Sequence, residues 1–134
     1  MLSLPIHHIG YLVKNTQKAV EQFTVLGFQI FQNTIFDSIR QVSITFMEKD
    51  GYTVELVQPV SVDSVAAGLL KKYKNSPYHI CYSSNHFTDD TKYLTTHGYL
   101  AIDEPTIAPA CNNHNVQFFI HPSLGMIEIM DMHS

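Results

Sequence analysis

The chain has 134 residues, 45% hydrophobic and 15% charged, proportions that suit a compact globular protein and exclude intrinsic disorder. Its formal charge of −4, with only eight Lys and Arg, excludes the basic footprint of a nucleic-acid binder. Two cysteines give no disulfide framework, and no apolar run approaches the roughly 18 residues of a membrane span.

The opening Met1-Leu2-Ser3-Leu4-Pro5 lacks the basic and apolar segments of a secretory signal, so a cytoplasmic location is expected. Residues 6–13 read as a strand. Asn15 or Thr16 then supplies the N-cap of a helix with Ala19, Val20, Phe23 and Leu26 on one face, ended by Gly27 at its C′ position. Strands are expected at 28–36 and 41–48. Asp50-Gly51 is a tight-hairpin signal leading into a strand at 52–57, which Pro59 closes. Asp63 or Ser64 caps a linker helix with Leu69, Leu70 and Tyr73 on its apolar side. Lys71, Lys72 and Lys74 suit the solvated end of that helix, and Asn75-Ser76-Pro77 breaks it.

The same order then returns. Residues 78–83 form a strand, and Asp89 and Asp90 suit the first turn of a helix ending near His97-Gly98. Residues 99–102 form a strand, 103–113 a long loop, and 115–120 with 126–132 a final hairpin. The repeat is visible residue by residue. His8-Ile9 and Gly27-Phe28 recur as His79-Ile80 and Gly98-Tyr99, offset by 71 positions. Phe46 and Val54-Glu55-Leu56 recur as Phe119 and Ile127-Glu128-Ile129, offset by 73. A duplication fixes architecture ahead of local signals. It sets one domain over 1–134, with module one at 5–59, a linker helix at 60–77 and module two at 78–134.

Strand parity turns the repeat into chemistry. Alternate side chains face opposite sides of a sheet, so Val54 and Leu56 point one way and Glu55 the other. Ile127, Ile129 and Glu128 do the same. His8 and His79 oppose the faces of Ile9 and Ile80. Each of the four strands thus has an apolar face for a helix to cover and presents one ligand-type residue to the other face. That second face is expected to form a cleft, lined also by Gly10, Thr53, Val57, Cys81, Met126 and Met130. One such His or Glu is more often a solvated or packed residue than a ligand. Four at repeat-equivalent positions favour a metal site of His8, Glu55, His79 and Glu128, suited to Zn, Ni, Co, Fe or Mn.

With these residues in view, the chain resembles the vicinal oxygen chelate superfamily, which includes glyoxalase I, methylmalonyl-CoA epimerase, extradiol dioxygenases and bleomycin-resistance proteins. The likeness rests on the paired modules, His8-Ile9-Gly10, Glu55-Leu56-Val57-Gln58-Pro59, His79, Phe119-Ile120-His121-Pro122 and Gly125-Met126-Ile127-Glu128. Its closest flavour is the epimerase. The resemblance implies an α+β fold of two tandem βαβββ modules, forming a curved, half-barrel-like mixed sheet with a metal-lined cleft and helices outside. It also implies His8, Glu55, His79 and Glu128 as ligands to a divalent ion, with Glu128, and Glu55 beside it, as proton-transfer residues.

The expected activity is that of a metal-dependent isomerase or lyase, abstracting a proton next to the carbonyl of a small acyl thioester or related substrate. A homodimer is expected, with neither nucleic acid nor membrane as partner. The epimerase pattern has a further acidic residue before its third strand; here Asp37 lies nearby but a few positions early. Glu48 and His121, equivalent by the 73-residue offset, are second-rank acid/base candidates with a plainer reading as hairpin-flanking residues. His7 is expected to face a helix as a structural residue. The loop Pro109-Ala110-Cys111-Asn112-Asn113-His114 reads either as a substrate border or as a plain connection. Two alternative functions share the fold: a non-catalytic small-molecule binding or resistance protein, and an extradiol-type dioxygenase holding ferrous iron with His8, His79 and Glu128.

Overall fold

The computed structural model describes residues 1–134 as nine strands and three α-helices, a mixed α+β architecture. The chain divides into two units, His8–Tyr78 and His79–Ser134 together with Met1–His7. In chain order the first elements are β1 (Ile6–Leu12), α1 (Thr16–Val25), β2 (Gln29–Asp37), β3 (Val42–Lys49), β4 (Tyr52–Pro59) and α2 (Val65–Tyr73). They follow the punctuation of the sequence. The Asn15 side chain accepts the Lys18 N–H at 2.9 Å, and Gly27 ends the helix with φ +96°. Asp50 and Gly51 both take positive φ (52° and 82°), as a two-residue type I′ hairpin demands. Ser64 caps α2 by accepting the Ala67 N–H at 3.0 Å.

The sheet order here is β2-β3-β4-β1, with β1 parallel to β4 and the other pairs antiparallel. Val13, Met47, Val54 and Leu56 form a core cluster, onto which Ala19, Val20 and Phe23 pack. Phe23 meets Tyr11 and Phe28 edge-on, with ring centroids 5.2 and 5.1 Å apart. One face of β1, β3 and β4 is thus closed by α1, as parity predicts.

The second set is β5 (Ser76–Ser84), α3 (Phe87–Thr96), β6 (Leu100–Ala101), β7 (Thr106–Ala108), β8 (His114–His121) and β9 (Gly125–Asp131). Its order is β5-β9-β8-β6, with β7 also paired to β8 and β5 parallel to β9. Leu94 of α3 packs with Phe119, Ile127 and Ile129, beside Tyr82, Phe87 and Tyr99. Burial, with Tyr99 nearby, raises the Tyr82 phenol above its ordinary range. Helix α3 starts without a side-chain cap at His86. Instead Ser84 Oγ accepts the His86 N–H at 3.2 Å and donates to Asp90 at 2.6 Å. The expected loop at 103–113 is shorter than the sequence suggests. β-Branched Thr106 and Ile107 pair with Val116 and Asn115, and a 3₁₀ turn, Pro109–Cys111, follows. The turn opens on proline, whose fixed φ suits a first helical position.

The repeat itself needs one correction. The β3–β4 hairpin closes on Lys49 and Tyr52 across two residues, whereas β8–β9 closes on His121 and Gly125 across three. The extra residue slips β8 by one position. Phe46 faces Glu55 and Phe118 faces Glu128, so the counterpart of Phe46 is Phe118, while Phe119 corresponds to Met47 in the core. By the same slip Lys49, not Glu48, is the partner of His121. The two do the same work. Lys49 Nζ donates to the Leu26 carbonyl at 2.8 Å. His121 Nε2 lies 3.2 Å from the His97 carbonyl, and its Nδ1 accepts the Ser123 N–H at 3.0 Å, which assigns the proton to Nε2. Each thereby satisfies a helix-terminal carbonyl beside a positive-φ glycine. A Cβ on Gly98 would come 3.2 Å from His121 Nε2.

His121→Ala is therefore expected to lower stability by about 0.5–1.5 kcal/mol, and Gly98→Ala by a comparable or larger amount. Urea denaturation of the two variants measures both.

Candidate metal centre

Glu55 follows Val54 and precedes Leu56 on β4, so anchoring those two in the α1 core turns the carboxylate to the other face. There it is 4% exposed. His8 on β1 is 1% exposed, and its Nε2 lies 3.4 Å from Glu55 Oε1. Gly10 is the residue directly opposite Glu55, which leaves His8 as the diagonal neighbour one step back on the same face. The Phe46 ring, opposite Glu55 on the other flank, meets the His8 imidazole edge-on at 5.3 Å.

The second unit repeats the arrangement with its own residues. Ile127 and Ile129 anchor β9, and Glu128 is 4% exposed on the opposite face. Cys81 lies directly opposite Glu128, making His79 the diagonal neighbour, with Nε2 3.1 Å from Glu128 Oε1. Phe118 meets the His79 ring edge-on at 5.2 Å. Of the other residues expected on these faces, Gly10, Val57, Cys81 and Met130 are buried, and Thr53 and Met126 half-buried.

Each unit therefore holds one imidazole nitrogen and one carboxylate oxygen within about a hydrogen bond of one another, in a largely dry, partly aromatic setting. An ionised carboxylate in such surroundings needs a compensating charge or donor. Both pairs offer the donor types of a borderline divalent ion, and two carboxylates would balance its charge. The donor set fits such an ion.

The remaining candidates lie elsewhere in the chemistry. Asp37 is buried, but Oδ1 accepts the Ile39 and Arg40 amides at 3.0 Å each, and Oδ2 accepts Arg40 Nη1 at 2.9 Å. It clamps the β2–β3 turn. Glu48 is exposed near the β3 end, and His121 is engaged at the α3 terminus. Gln58, part of the motif after Glu55, accepts from Thr16 N–H and Oγ at 2.7 and 2.8 Å, holding the start of α1. Ala110 and Cys111 are buried in the 3₁₀ turn, and Asn112 and Asn113 after it are exposed. Sequence reasoning missed Phe118. The signal was present in the hairpin length, which decides the β8 register.

Set beside known proteins, this geometry has clear relatives. The sequence pattern of the Glyoxalase/Bleomycin resistance protein/Dioxygenase superfamily matches residues 7–118, and the chain belongs to that superfamily. No curated protein matches it in sequence. Among solved structures, a hypothetical protein of Bacillus halodurans C-125 superposes with TM-score 0.83 at 20% identity, covering 97% of this chain and 95% of that one. A methylmalonyl-CoA epimerase variant from Streptomyces coelicolor, in complex with 2-nitronate-propionyl-CoA, gives TM-score 0.81 at 23% identity, with 96% and 95% coverage. The methylmalonyl-CoA epimerase of Mycobacterium tuberculosis gives 0.82 at 19%, with 98% and 92% coverage. At these identities the likeness establishes the fold, and it agrees with the α+β architecture expected from the repeat.

Asp37→Ala strips an acceptor from two amides and a guanidinium. The expected loss is about 1–3 kcal/mol of stability, read by urea denaturation. An unchanged midpoint would show that the β2–β3 turn does not depend on this carboxylate.

Proposed function

We propose that the protein is a divalent-metal-dependent isomerase or lyase of the glyoxalase–epimerase type, removing a proton from the carbon beside the carbonyl of a small acyl thioester or related substrate. The observation that carries this reading is the duplicated pair: His8 with Glu55 and His79 with Glu128, each buried, each on adjacent strands, each flanked by a phenylalanine edge. The proposal takes both pairs as ligands of one ion, completing each other within one chain or across two copies.

When bound, the ion supplies Lewis acidity that polarises a substrate carbonyl and stabilises the negative charge left by deprotonation. This chain's own residues do the rest. Phe46 and Phe118 restrict the two imidazoles to one ring orientation. Glu128 is assigned as the base. Its carboxylate lies on the face away from Ile127 and Ile129, 4% exposed, beside His79 and opposite Phe118, where few waters compete for the proton. A base must lie within hydrogen-bond reach of the proton it takes, a condition met by a carboxylate at the ligand position itself. Glu55, in the matching surroundings, holds the complementary acid/base role.

The commitment of Asp37 to its turn bears on the reaction class. A reaction that inverts a carbon uses proton-transfer groups on both of its faces. With Asp37 engaged by Arg40 and two amides, the carboxylates left for proton transfer are the two at the ligand positions, Glu55 and Glu128, which favours glyoxalase-type proton relocation between adjacent carbons. The complex of a structural neighbour with a propionyl-CoA derivative makes acyl thioesters a rational first trial.

The test follows the proton. Metal-loaded protein in heavy water is mixed with methylmalonyl-CoA and, separately, with the glutathione hemithioacetal of methylglyoxal, and NMR follows deuterium entering the carbon beside the carbonyl. Wild type is expected to exchange on at least one substrate. Glu128→Gln is expected to slow that exchange by about 10²–10⁴-fold with its melting midpoint unchanged or raised. Full exchange in that variant would remove Glu128 from the mechanism. Absence of exchange in wild type on both substrates would favour a binding protein on the same fold.

A further inference from the structure

The edge strand β2 sorts its residues against their polarity. Ile30, Phe31 and Phe36 are 46%, 51% and 53% exposed, while Gln32 among them is half-buried. Burial ordinarily favours the isoleucine or a phenylalanine over the carboxamide. The inversion is built into the backbone. Ile30 faces Met47, Gln32 faces Phe46, and Ile35 faces Ile44, so β2 carries one extra residue on each side of Gln32. Both irregularities are pinned. The Phe31 ring meets Phe46 edge-on at 5.8 Å, and the hydroxyls of Thr34 and the buried Thr45 lie 2.6 Å apart.

The pairing shows where the inversion leads. Gly10 faces Glu55, Glu55 faces Phe46, and Phe46 faces Gln32. The four residues therefore stand in one row across β1, β4, β3 and β2. Directly opposite residues share a face of the sheet, which puts Gln32 on the face of Glu55. Two strand spacings separate them, or about 10 Å. That gap has the width of a small molecule, with Phe46 standing between the carboxylate and the carboxamide.

Bulges also blunt an exposed edge against pairing with another chain. Such a role accounts for an irregular β2, and does so with any residue at position 32. It gives no reason to turn a carboxamide inward and leave the neighbouring phenylalanines outside. Bulges next to active sites re-aim a side chain, and departures from local rules gather where function demands them.

We infer that Gln32 is a ligand-binding residue of the Glu55 row, its carboxamide N–H donating to an oxygen of the substrate held beside that carboxylate. This rests on the proton-transfer reading above and deepens it by naming a group that sets the substrate's orientation. A carboxamide neither gains nor loses a proton near neutral pH. It therefore leaves proton transfer to the carboxylates and contributes a fixed hydrogen bond.

The test uses zinc-loaded protein and acetohydroxamate, a two-oxygen probe with no thiol carrier. Calorimetry measures its affinity, and ¹H–¹⁵N NMR follows the Gln32 side-chain amide, assigned by its loss in Gln32→Met. The wild-type amide resonance is expected to shift during titration. Gln32→Met keeps the length without the amide and is expected to bind the probe about tenfold more weakly, as the loss of a hydrogen bond to a charged group implies. Its zinc content and melting midpoint are expected to stay unchanged. Gln32→Glu, which retains an oxygen and lacks the N–H, is expected to bind at least as weakly. Gln29→Met, at the exposed start of β2, is the unaffected control. A stationary amide resonance, or undiminished affinity in Gln32→Met, would overturn the inference. So would zinc lost from that variant, which would make Gln32 a packing residue. Wild type that retains no zinc would sink the metal reading itself, a result seen before any titration, whereas failure at Gln32 alone leaves that reading standing.

Discussion

A carboxylate set between two core residues of a strand is the constraint on which the rest depends. Val54 and Leu56 cannot leave the α1 core without exposing it, and Ile127 and Ile129 are held in the same way beneath α3. Glu55 and Glu128 are consequently fixed on the opposite face, at 4% exposure each. Ionised carboxylates so poorly solvated cost several kcal/mol unless they are compensated. The adjacent imidazoles supply part of that compensation. Replacing a buried ion pair by well-packed apolar residues is often neutral or stabilising, so stability alone does not call for these four side chains. The retention of two such pairs, in duplicate, argues for chemistry.

Duplication explains the economy of the arrangement. Each unit brings a parallel pair of strands, β1 with β4 and β5 with β9, so that a histidine near the start of one strand meets a glutamate in the middle of the other. A helix then covers the far face. The aromatic guard on each imidazole comes from the neighbouring antiparallel strand, at Phe46 and Phe118. Lys49 and His121 show how the two copies drifted while keeping a function. One cation and one neutral ring bind the same kind of helix-terminal carbonyl above a left-handed glycine.

Much of this was legible in the amino-acid sequence, because the relevant signals are local and periodic. Period-two alternation placed His8, Glu55, His79 and Glu128 on faces away from the helices. Asn15, Gly27, Asp50-Gly51 and Ser64 marked the boundaries where the structure has them. What escaped was decided by counts or partners that sequence spacing alone does not carry. An offset of 73 between Phe46 and Phe119 looked like exact repetition, yet a three-residue turn in place of two moves β8 by one and puts Phe118 beside His79. Residues 106–108 read as loop because three residues give no period, and only pairing with β8 makes them a strand. Asp37 looked like a misplaced catalytic acid; its partners, Arg40 and two amides, become visible only once the turn is folded.

Superfamily membership narrows the chemistry without naming the substrate, since one fold carries many reactions. The central claim is that the two pairs serve one ion, and metal stoichiometry tests it most directly. Untagged protein loaded with Zn, Co, Ni or Mn and then freed of excess is analysed by elemental mass spectrometry, alongside folded His8→Ala and His79→Ala variants. The account predicts one ion per chain in the native protein and its loss from both variants. Two ions per chain, or one retained in full after either substitution, would contradict it.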